Sequence, residues 1–600
     1  MSFIIEFEPL GIRLICEEPL TLLDAARQAG IRLRSECGGK GTCGKCRLKI
    51  ISGKSSPISS HEKQILGNAQ IKEGYRLACR TLVNQTVQVY LPPDSLVEKQ
   101  VLQTEGKYTE FLPHPAVQVQ SAELTPPSFT DLRSDLKRLT DATRQFGLEL
   151  QPELGFVQQC GVQLRRSEWR VNLIHNHEEW LYAFPPGDLH PLGLAVDVGS
   201  TKIACYLMGL EDGSTLAAQG EINPQIIYGE DIMSRLSAIQ EQPGRARDLQ
   251  RLVIEGINEA ASNMCRSQDR DIQEIADVCL VGNTAMHHFF LGLPSQPLAV
   301  SPYIPATTSF LYPRAADLGL QVMPNARAYC PPPIAGFVGS DHLAFLLSAG
   351  FGKDPRIRLG IDIGTNTEIA LQHDQRIVSV STASGPAFEG AHIRFGMRAA
   401  PGAIEHVTMD KNGLPACQVI GQSTASGICG SGILDAIGEL RRVGLLNSRG
   451  RLDKNHPAIK IDEEGKPFYE LMPAGDTQSS ITLNQHDIDQ LLLAKGAIRA
   501  GIEILLDYLK INAQQIEEVI IAGAFGSYMD PGQAIQIGLL PNIDQDKVHA
   551  VGNAAGAGAR MMLVSIEMRE QALALADIIE YLELTIYPDF PLFFARGIQF

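Results

Sequence analysis

The sequence of 600 residues contains no apolar run of the roughly 20 residues that a membrane-spanning helix requires. Its N-terminus, MSFIIEFEPLG, also lacks the basic segment and long apolar segment that mark a secretory signal. Positive charge is scarce, because 52 Lys and Arg face 68 Asp and Glu and leave a net charge of −16. These deficits argue against a membrane protein and against non-specific binding to nucleic acid or an anionic bilayer. We expect a cytoplasmic protein with neutral or basic protein partners.

The length and composition predict several globular domains. Hydrophobic residues make up 44% and charged residues 20% of a chain that is too long for one core. Alternating strands in SFIIEFEPLGIRLICEE, a helix from about Leu20 to Ala29 and a closing strand QTVQVYLP predict a small domain over residues 1–95.

The rest of the chain divides by its pattern into three parts. Residues 96–125 are polar, contain scattered prolines and show no periodicity, so they are predicted to be a linker. A capped helix that starts at Ser128-Phe-Thr-Asp131 is predicted to open a small middle domain over 126–190. Residues 191–600 are rich in Gly, Ala and Ile and alternate strands with helices, which is typical of a layered α/β fold.

Three cysteines crowd a glycine-rich loop near the N-terminus. Cys37, Cys43 and Cys46 are separated by five and two residues, and Cys79 follows 33 positions later. Four thiolates suffice for a two-iron cluster, and the glycines let the backbone wrap closely and direct N–H groups at sulfur. The alternatives are a zinc site, for which two CxxC pairs are usual, and buried structural cysteines. The other eight cysteines lack ligand spacing and are predicted to be small buried hydrophobic residues.

The first 95 residues resemble ferredoxins. The C-x5-C-x2-C opening is one residue longer than the plant-type spacing and is similar to that of the adrenodoxin-like branch. The resemblance implies a β-grasp fold with a [2Fe-2S] cluster held by Cys37, Cys43, Cys46 and Cys79.

Two segments of the C-terminal region repeat one pattern. Each is strand, D-x-G-[ST], strand: LAVDVGSTKIA around Asp197 and GIDIGTNTEIA around Asp362. The glycine permits a tight turn whose N–H and hydroxyl groups can hold phosphate, and an aspartate at a strand end can hold Mg²⁺ through water. A single D-x-G is common in ordinary hairpin turns, but two in repeat predict a phosphate clamp.

A third motif and one helix complete the predicted nucleotide site. The apolar strand VIIAGAFG over 519–526 runs into small residues against which a flat adenosine can lie. A helix from Asp487 to Leu506 places Lys495 and Arg499 one turn apart, where they either contact the base or ribose or face solvent. Besides Asp197 and Asp362, the predicted nucleotide-contacting residues are Gly199, Ser200, Thr201, Lys202, Gly364, Thr365, Asn366, Thr367, Lys495, Arg499, Gly523 and Gly526.

These three motifs, in this order, resemble those of the acetate and sugar kinase/Hsp70/actin superfamily. The resemblance covers about residues 191–600 and implies a duplicated, two-lobed ATPase fold that binds ATP and Mg²⁺. Glycine-rich breaks at 385–390, 427–432 and 551–558 either line the cleft or pack helices on sheets. In VGNTAMHH, from Val281 to His288, polar groups at a helix start face either phosphate or a hinge.

The domain order as a whole resembles that of the reductive activators of corrinoid-dependent enzymes. The phrases GNTAMHH, GPAFEGA, GICGSGILD, AGAFGSYMDP and VGNAAGAGA also match that family. The resemblance implies ATP-dependent reduction of cob(II)alamin to cob(I)alamin in a partner corrinoid protein or corrinoid-dependent methyltransferase. It further implies an unidentified electron donor, a possible homodimer, phosphate binding by Ser200, Thr201, Thr365 and Thr367, and Mg²⁺ positioning by Asp197 and Asp362.

Two other functions are compatible with the same motifs. A redox-sensing regulator would use the cluster to control an ATP-switched binding module without delivering electrons. A small-molecule kinase with an appended ferredoxin would form ADP only with a defined acceptor, but no sugar-selecting sequence is evident.

Overall fold

The computed structural model describes residues 2–31, 33–35, 37–92, 95, 112–145, 147, 152, 154–176, 179–184, 190–421, 424–475, 480–523, 525–526 and 529–600. Their buried side chains form four hydrophobic cores, one in the N-terminal domain, one in the middle domain and one in each of two C-terminal lobes. The predicted multidomain α/β architecture is therefore confirmed. Among the described helices, none combines the length and the apolarity needed to cross a bilayer.

The N-terminal domain is a mixed sheet with a helix packed on it. Its elements are β1 (Phe3–Glu8), β2 (Ile12–Cys16), β3 (Leu20–Thr21), α1 (Leu22–Gln28), β4 (Arg47–Ser52), α2 (Ser60–Lys72), β5 (Tyr75–Leu77), β6 (Leu82–Val83) and β7 (Val87–Tyr90). The main sheet has the order β2-β1-β7-β4-β5, in which only β1 and β7 are parallel. Thr21 caps α1 by accepting from the Asp24 N–H, and the leucine and alanine face of α1 joins the core of the sheet. This is the predicted β-grasp arrangement.

The middle domain is a three-stranded antiparallel sheet with two helices. Its elements are β8 (Gln118–Glu123), α3 (Asp135–Arg144), α4 (Leu154–Arg166), β9 (Arg170–His175) and β10 (Trp180–Phe184). Two features differ from the predictions. Strand β8 lies inside the predicted linker, of which residues 96–111 are outside the described residues. Helix α3 starts later than predicted because Ser134, and not the Ser128–Asp131 segment, accepts the capping N–H, from Lys137.

The first C-terminal lobe is built on a five-stranded sheet. Its elements up to residue 348 are β11 (Leu192–Val198), β12 (Lys202–Gly209), β13 (Thr215–Ile222), α5 (Ile232–Glu241), α6 (Arg245–Ser267), β14 (Ile275–Gly282), α7 (Thr284–Leu291), β15 (Arg327–Tyr329) and α8 (Ser340–Ser348). The strand order is β13-β12-β11-β14-β15. The central strands are apolar along almost their whole length because both faces of the sheet are covered.

The second lobe is built on a six-stranded sheet with two smaller sheets beside it. Its elements up to residue 552 are β16 (Arg358–Ile363), β17 (Thr367–His373), β18 (Arg376–Thr382), β19 (Ala403–Met409), β20 (Pro415–Val419), β21 (Gly427–Ile428), α9 (Gly430–Arg442), β22 (Ile459–Ile461), β23 (Pro467–Met472), β24 (Ile481–Asn484), α10 (Gln485–Leu509), β25 (Glu518–Ala522), α11 (Pro531–Gln536) and β26 (Val548–Gly552). The last part of the chain adds α12 (Ala554–Val564), α13 (Ile566–Ile578), β27 (Ile579–Tyr581) and α14 (Phe590–Gly597).

The two large sheets have the same topology. Five strands in the order β18-β17-β16-β25-β26 of the second lobe correspond to β13-β12-β11-β14-β15 of the first. In each lobe the first three strands are antiparallel and the remaining two join in parallel. The predicted duplication is therefore present.

The C-terminal segment crosses between the lobes. Helices α12 and α13 return to the first lobe, where α12 packs on α8 and β11, and their apolar residues join its core. Strand β27 then pairs with β18, and α14 packs on α10, so the chain ends on the second lobe. The first lobe thus contains residues from the start of the region 191–600 and from helices α12 and α13, whereas the second lobe contains the end of the chain.

Candidate cluster loop and nucleotide cleft

The four predicted cluster ligands lie together as two pairs of thiols. Cys46 Sγ is 3.4 Å from Cys79 Sγ, and the thiols of Cys37 and Cys43 also contact each other. The contact with Cys43 lowers the pKa of Cys37 to about 4, whereas the partner thiol and burial raise the pKa of Cys43. Four thiolates so close together repel one another, so a positively charged group such as an iron centre is needed for all four to ionise. The donor set fits a [2Fe-2S] cluster.

The loop that carries three of these thiols needs its glycines. Four glycines have φ between +61° and +97°, a range that other residues rarely adopt: Gly38, Gly39, Gly41 and Gly44. The resulting path directs the N–H groups of Thr42 and Cys43 at the Cys37 sulfur. Backbone N–H groups aimed at sulfur are the feature that the sequence predicted for this loop.

The two D-x-G hairpins meet across one cavity. Asp197 is the penultimate residue of β11, and Asp362 is the penultimate residue of β16. The cavity has a volume of about 200 Å³, below the roughly 300–1,000 Å³ of pockets for drug-sized ligands. Nine of the residues predicted from the hairpins line this cavity: Asp197, Gly199, Ser200, Thr201, Lys202, Asp362, Gly364, Thr365 and Asn366. This volume suits a phosphate group with a cation.

Carboxylates dominate the electrostatics of the cavity. Burial raises the pKa of Asp197 to about 6, and burial together with the Asp197 charge raises that of Asp362 to about 7. Two further acids were missed by sequence reasoning: Asp341, at the start of α8, and Glu368, at the start of β17. Burial and the neighbouring acids raise the pKa of both. Lys202 is the one cationic side chain among the described lining residues, so a bound cation would stabilise this site strongly.

Two asparagines from distant parts of the chain complete the first hairpin's surroundings. Asn283, in the GNTAMHH motif, donates to Ser200 Oγ at 3.0 Å. Asn553, at the N-cap of α12, donates to Asp197 Oδ2 at 3.0 Å and to the Tyr206 hydroxyl at 3.2 Å. The motifs had marked both positions, but only the fold brings them to the first hairpin.

The third predicted motif contributes Gly523 and Phe525 to the cavity. Gly523 has φ +92° and lies against the second hairpin, since a Cβ there would be 2.4 Å from the Ile363 carbonyl oxygen and 3.3 Å from Asp362 Oδ1. Phe525 lines the cavity next to Phe388, with ring centroids 4.6 Å apart. Gly526 instead packs against Ile521 and does not line the cavity.

Three other predicted residues also lie outside this lining. The buried Thr367 hydroxyl is paired with Ser384 Oγ at 2.8 Å. Lys495 is fully buried, neither at the cavity nor in solvent, because its ammonium donates to the carbonyls of Ile537 and Gln599 at 2.9 and 2.6 Å. Arg499 donates to the Leu540 carbonyl at 2.6 Å. Both side chains thus bond to main-chain carbonyls of the second lobe outside this cavity, and their contact with a base or ribose stays a prediction.

The glycine-rich breaks divide between the two predicted roles. Glu389 of the first break and Asn553 of the third line the cavity. The second break serves packing, because a Cβ at Gly430 would lie 1.9 Å from the Phe388 carbonyl oxygen. His287 and His288 are buried within α7 and do not reach the cavity.

Models of protein families match almost the whole chain. They are the 2Fe-2S iron-sulfur cluster binding domain (residues 5–84), the RACo linker region (107–190), the RACo middle region (192–354) and the C-terminal ASKHA domain of RACo (356–600). A curated relative, the corrinoid activation enzyme RamQ of Eubacterium limosum, is 31% identical over 94% of each chain. The chain belongs to the RACo family. The family's linker region includes the predicted middle domain, and its middle region corresponds to the first lobe.

Two further proteins are similar over long stretches. A solved structure of a reductive activator for corrinoid,iron-sulfur protein covers 100% of this chain and 98% of its own, with 32% identity and a TM-score of 0.73. The [Co(II) methylated amine-specific corrinoid protein] reductase of Methanosarcina barkeri is 26% identical over 64% of this chain and 72% of its own. The resemblance to reductive activators that the sequence suggested is confirmed.

Proposed function

We propose that this chain is an ATP-dependent reductive activator that transfers one electron from a [2Fe-2S] cluster to the cob(II)alamin of a partner corrinoid protein. The observation that carries the proposal is the presence, in one chain, of four cysteine thiols at one site and of a cleft formed by two D-x-G hairpins. The names of the similar proteins, a corrinoid activation enzyme and a corrinoid protein reductase, support the same function.

The N-terminal loop supplies the ligands for electron transfer. Cys37, Cys43, Cys46 and Cys79 would hold the two irons, and the backbone N–H groups around Cys37 would stabilise negative charge on sulfur. When bound, a [2Fe-2S] cluster delivers electrons one at a time. The partner's cob(II)alamin gains that electron and becomes cob(I)alamin, so no atom is transferred.

The cleft would bind the triphosphate and its metal. Ser200, Thr201 and Thr365 lie where hydroxyl and backbone N–H groups can hold phosphate oxygens, while Asp197 and Asp362 would position Mg²⁺ through water. Because Thr367 is paired with Ser384, we assign it no contact with phosphate. ATP and ADP can drive work only if they favour different arrangements of the lobes, since a ligand shifts an equilibrium by its differential affinity.

An energetic argument links the two parts. Two-iron ferredoxins often have potentials of roughly −400 mV, so transfer to an acceptor of more negative potential is unfavourable. Each 100 mV costs about 2.3 kcal/mol for one electron. Nucleotide binding and hydrolysis can offset a gap of this size by changing how the partner is bound and released.

The proposed setting follows from the same chemistry. Free thiols and a reduced cluster suit the cytoplasm, where thiols stay reduced. The electron donor is a separate low-potential reductant, and we propose a homodimer, which light scattering of the purified protein would detect. The partner is a corrinoid protein or a corrinoid-dependent methyltransferase.

The deciding experiment is anaerobic. Dithionite-reduced protein is mixed with a corrinoid protein in the cob(II)alamin state, with and without MgATP, and the visible spectrum is followed for cob(I)alamin. ATP-stimulated appearance of cob(I)alamin is the expected result. No reduction with any of several corrinoid proteins would contradict the proposal and would favour the redox-sensing regulator.

Two variants separate the parts of the mechanism. Cys43→Ser is expected to lose the visible absorption of the cluster and all corrinoid reduction while binding MgATP normally. Asp362→Ala is expected to retain the cluster but lose the stimulation by ATP. Loss of both properties in either folded variant would contradict the division of labour.

A further inference from the structure

The cluster loop of the N-terminal domain rests on the first nucleotide-binding lobe. A Cβ added at Gly38, next to the cluster ligand Cys37, would lie 2.7 Å from the Tyr228 carbonyl oxygen and 3.5 Å from Ser234 Cβ. Tyr228 ends the short helical turn Pro224–Tyr228 that follows β13, and Ser234 lies in the first turn of α5. The glycine at position 38 therefore allows a close approach between the two domains.

A second contact beside the loop holds the same surface. The Arg27 guanidinium of α1 donates to the Ile227 carbonyl and lies 5.0 Å from the centre of the Tyr228 ring. Arg245 lies 5.8 Å from the same ring, and the Tyr228 hydroxyl donates to Asp248 at 3.3 Å. The segment that ends in Tyr228 is thus the docking surface for both α1 and the cluster loop.

The docking surface is joined to the first phosphate hairpin by one buried side chain. Arg235 has no exposed surface, and its guanidinium donates to the Gly229 carbonyl at 2.9 Å and to Gln225 Oε1 at 3.1 Å. Its other bonds are to the Met286 sulfur at 3.4 Å and to the carbonyl of Ser200, which lines the nucleotide cavity. A planar guanidinium holds several acceptors at fixed angles, so displacement of one acceptor shifts the guanidinium and with it the other acceptors.

A second link runs parallel to the first. Asn223 caps the turn before Tyr228, donates from its amide to the Gly199 carbonyl at 2.8 Å, and donates from its backbone N–H to the Thr201 carbonyl at 2.9 Å. Both links start at the hairpin Gly199–Lys202 and end at the segment 225–229. Two neighbouring residues of α5 thus face the two sites: Ser234 lies beside Gly38 of the cluster loop, and Arg235 bonds to the hairpin.

We propose that Arg235 is a positioning residue that couples nucleotide binding at the Gly199–Lys202 hairpin to the docking of the cluster loop on the 225–229 segment and α5. The inference deepens the proposed function, on which it rests, by naming the route between its two parts. A phosphate held by the hairpin changes the position of the Ser200 carbonyl, and Arg235 transmits the change to the surface on which Gly38 and Arg27 rest. Linkage requires the reverse as well: docking of the loop must change nucleotide affinity by the same factor.

Hydrogen–deuterium exchange of the whole holoprotein, under anaerobic conditions, tests the coupling directly. The exchange rate of the peptide that contains residues 37–41 is compared with and without a saturating, non-hydrolysable MgATP analogue. In the wild type we expect a change of at least about fivefold, the lower end of typical coupling factors. In Arg235→Lys, which keeps the charge but cannot bridge three acceptors, the analogue should still bind and the change should fall below twofold.

Arg358→Lys is the matched control. Arg358 is also buried and also donates to two backbone carbonyls, those of Ala349 and Gly350, but it lies in the second lobe, away from the N-terminal domain. This variant should keep the wild-type response of the 37–41 peptide. A wild-type response in Arg235→Lys, or no response in the wild type itself, would overturn the proposal.

Arg27→Gln decides the matter if Arg235→Lys does not fold or does not bind nucleotide. It removes the docking contact from the side of α1 and leaves the hairpin intact. The 37–41 peptide should then exchange at one rate with or without the analogue, and nucleotide affinity should shift by the coupling factor seen in the wild type. Retention of the wild-type response in Arg27→Gln would overturn the proposal.

The exchange result is independent of the corrinoid assay. If no corrinoid protein is reduced but the response depends on Arg235, the proposed function fails and the coupling stands. If ATP stimulates reduction but Arg235→Lys leaves both the stimulation and the exchange response unchanged, the proposed function stands and the coupling fails.

Discussion

The two D-x-G hairpins are equivalent in the fold but not in their surroundings. Each connects the first two strands of a sheet with the same strand order, and each carries its aspartate one residue before the end of the first strand. Their acids meet in one cavity. The duplicated sheet therefore accounts for the symmetric half of the site.

The residues behind the hairpins differ. The first hairpin is bonded through Asn223 and Arg235 to the segment on which the N-terminal domain rests. The second is held within its own lobe, where Thr365 donates to Glu389 at 3.1 Å and Gly523 packs against Asp362. Duplication can therefore build a binding site, whereas coupling of that site to another domain needs contacts that only one copy possesses.

Substitution of the two aspartates should have the largest effect and should reveal the equivalence. Asp197→Asn and Asp362→Asn each remove a carboxylate from the cation site, so we expect ATP hydrolysis to fall by at least about 10²-fold in both. Steady-state hydrolysis with the cluster absorption as a control measures this. If one variant hydrolysed ATP at nearly the wild-type rate, the two hairpins would not share one metal.

Alanine at the turn glycines should have an intermediate effect and should distinguish the hairpins. A Cβ at Gly199 would be 2.9 Å from the Lys202 carbonyl oxygen, whereas one at Gly364 would be 3.2 Å from that of Asn366. Overpacking of the tighter turn costs about 1–3 kcal/mol, so Gly199→Ala should weaken MgATP binding by roughly tenfold. Gly364→Ala should weaken it by at most about threefold. Calorimetric titration of both variants gives the ratio, and a larger loss for Gly364→Ala would reverse the ranking.

Substitution of Lys495 should have the smallest effect on nucleotide binding. Because its ammonium holds the Ile537 and Gln599 carbonyls, Lys495→Met should leave the MgATP dissociation constant within about twofold of the wild type. Loss of two buried hydrogen bonds should lower the free energy of unfolding by about 1–3 kcal/mol. A large loss of nucleotide affinity in a stable variant would instead support the base or ribose contact that the sequence predicted for Lys495.

The same variant should also change how the free energy of unfolding depends on pH. Burial lowers the pKa of Lys495 to about 7, so between pH 7 and the pKa of the unfolded chain, about 10.5, the unfolded state binds more protons. The wild-type free energy of unfolding should therefore rise with pH over this range, relative to Lys495→Met. Lys454→Met, at an exposed position, serves as the control, in which denaturant titrations should show the wild-type pH dependence.

Local patterns predicted those parts of the site in which neighbours in sequence are neighbours in space. Cys37, Cys43 and Cys46 share one loop, and each D-x-G turn contains its own acid and hydroxyl groups. Their spacing already specified the geometry. Helical periodicity was less informative for Lys495 and Arg499, because it establishes that two side chains share a face of α10 but not what lies opposite that face.

Long-range packing explains what sequence reasoning missed. Asp341 and Glu368 contribute carboxylates to the cavity, but neither belongs to a recognisable phosphate-binding pattern of its own. Strand β8 lies in a stretch that reads as linker because a short, half-exposed strand shows little alternation and is stabilised by pairing with β9. These features depend on partners tens to hundreds of residues away.

The domain classes, the glycine-rich cysteine loop and the two D-x-G hairpins were predictable from the sequence, because the loop and the hairpins are encoded by spacing within short segments. Three features became visible in the folded chain alone: α12 and α13 return to the first lobe, Lys495 bonds to the C-terminal segment, and Arg235 joins the hairpin to the surface beneath the cluster loop. The physical reason is that a buried side chain takes its role from the acceptors that surround it, and those acceptors are assembled by packing and not by local pattern.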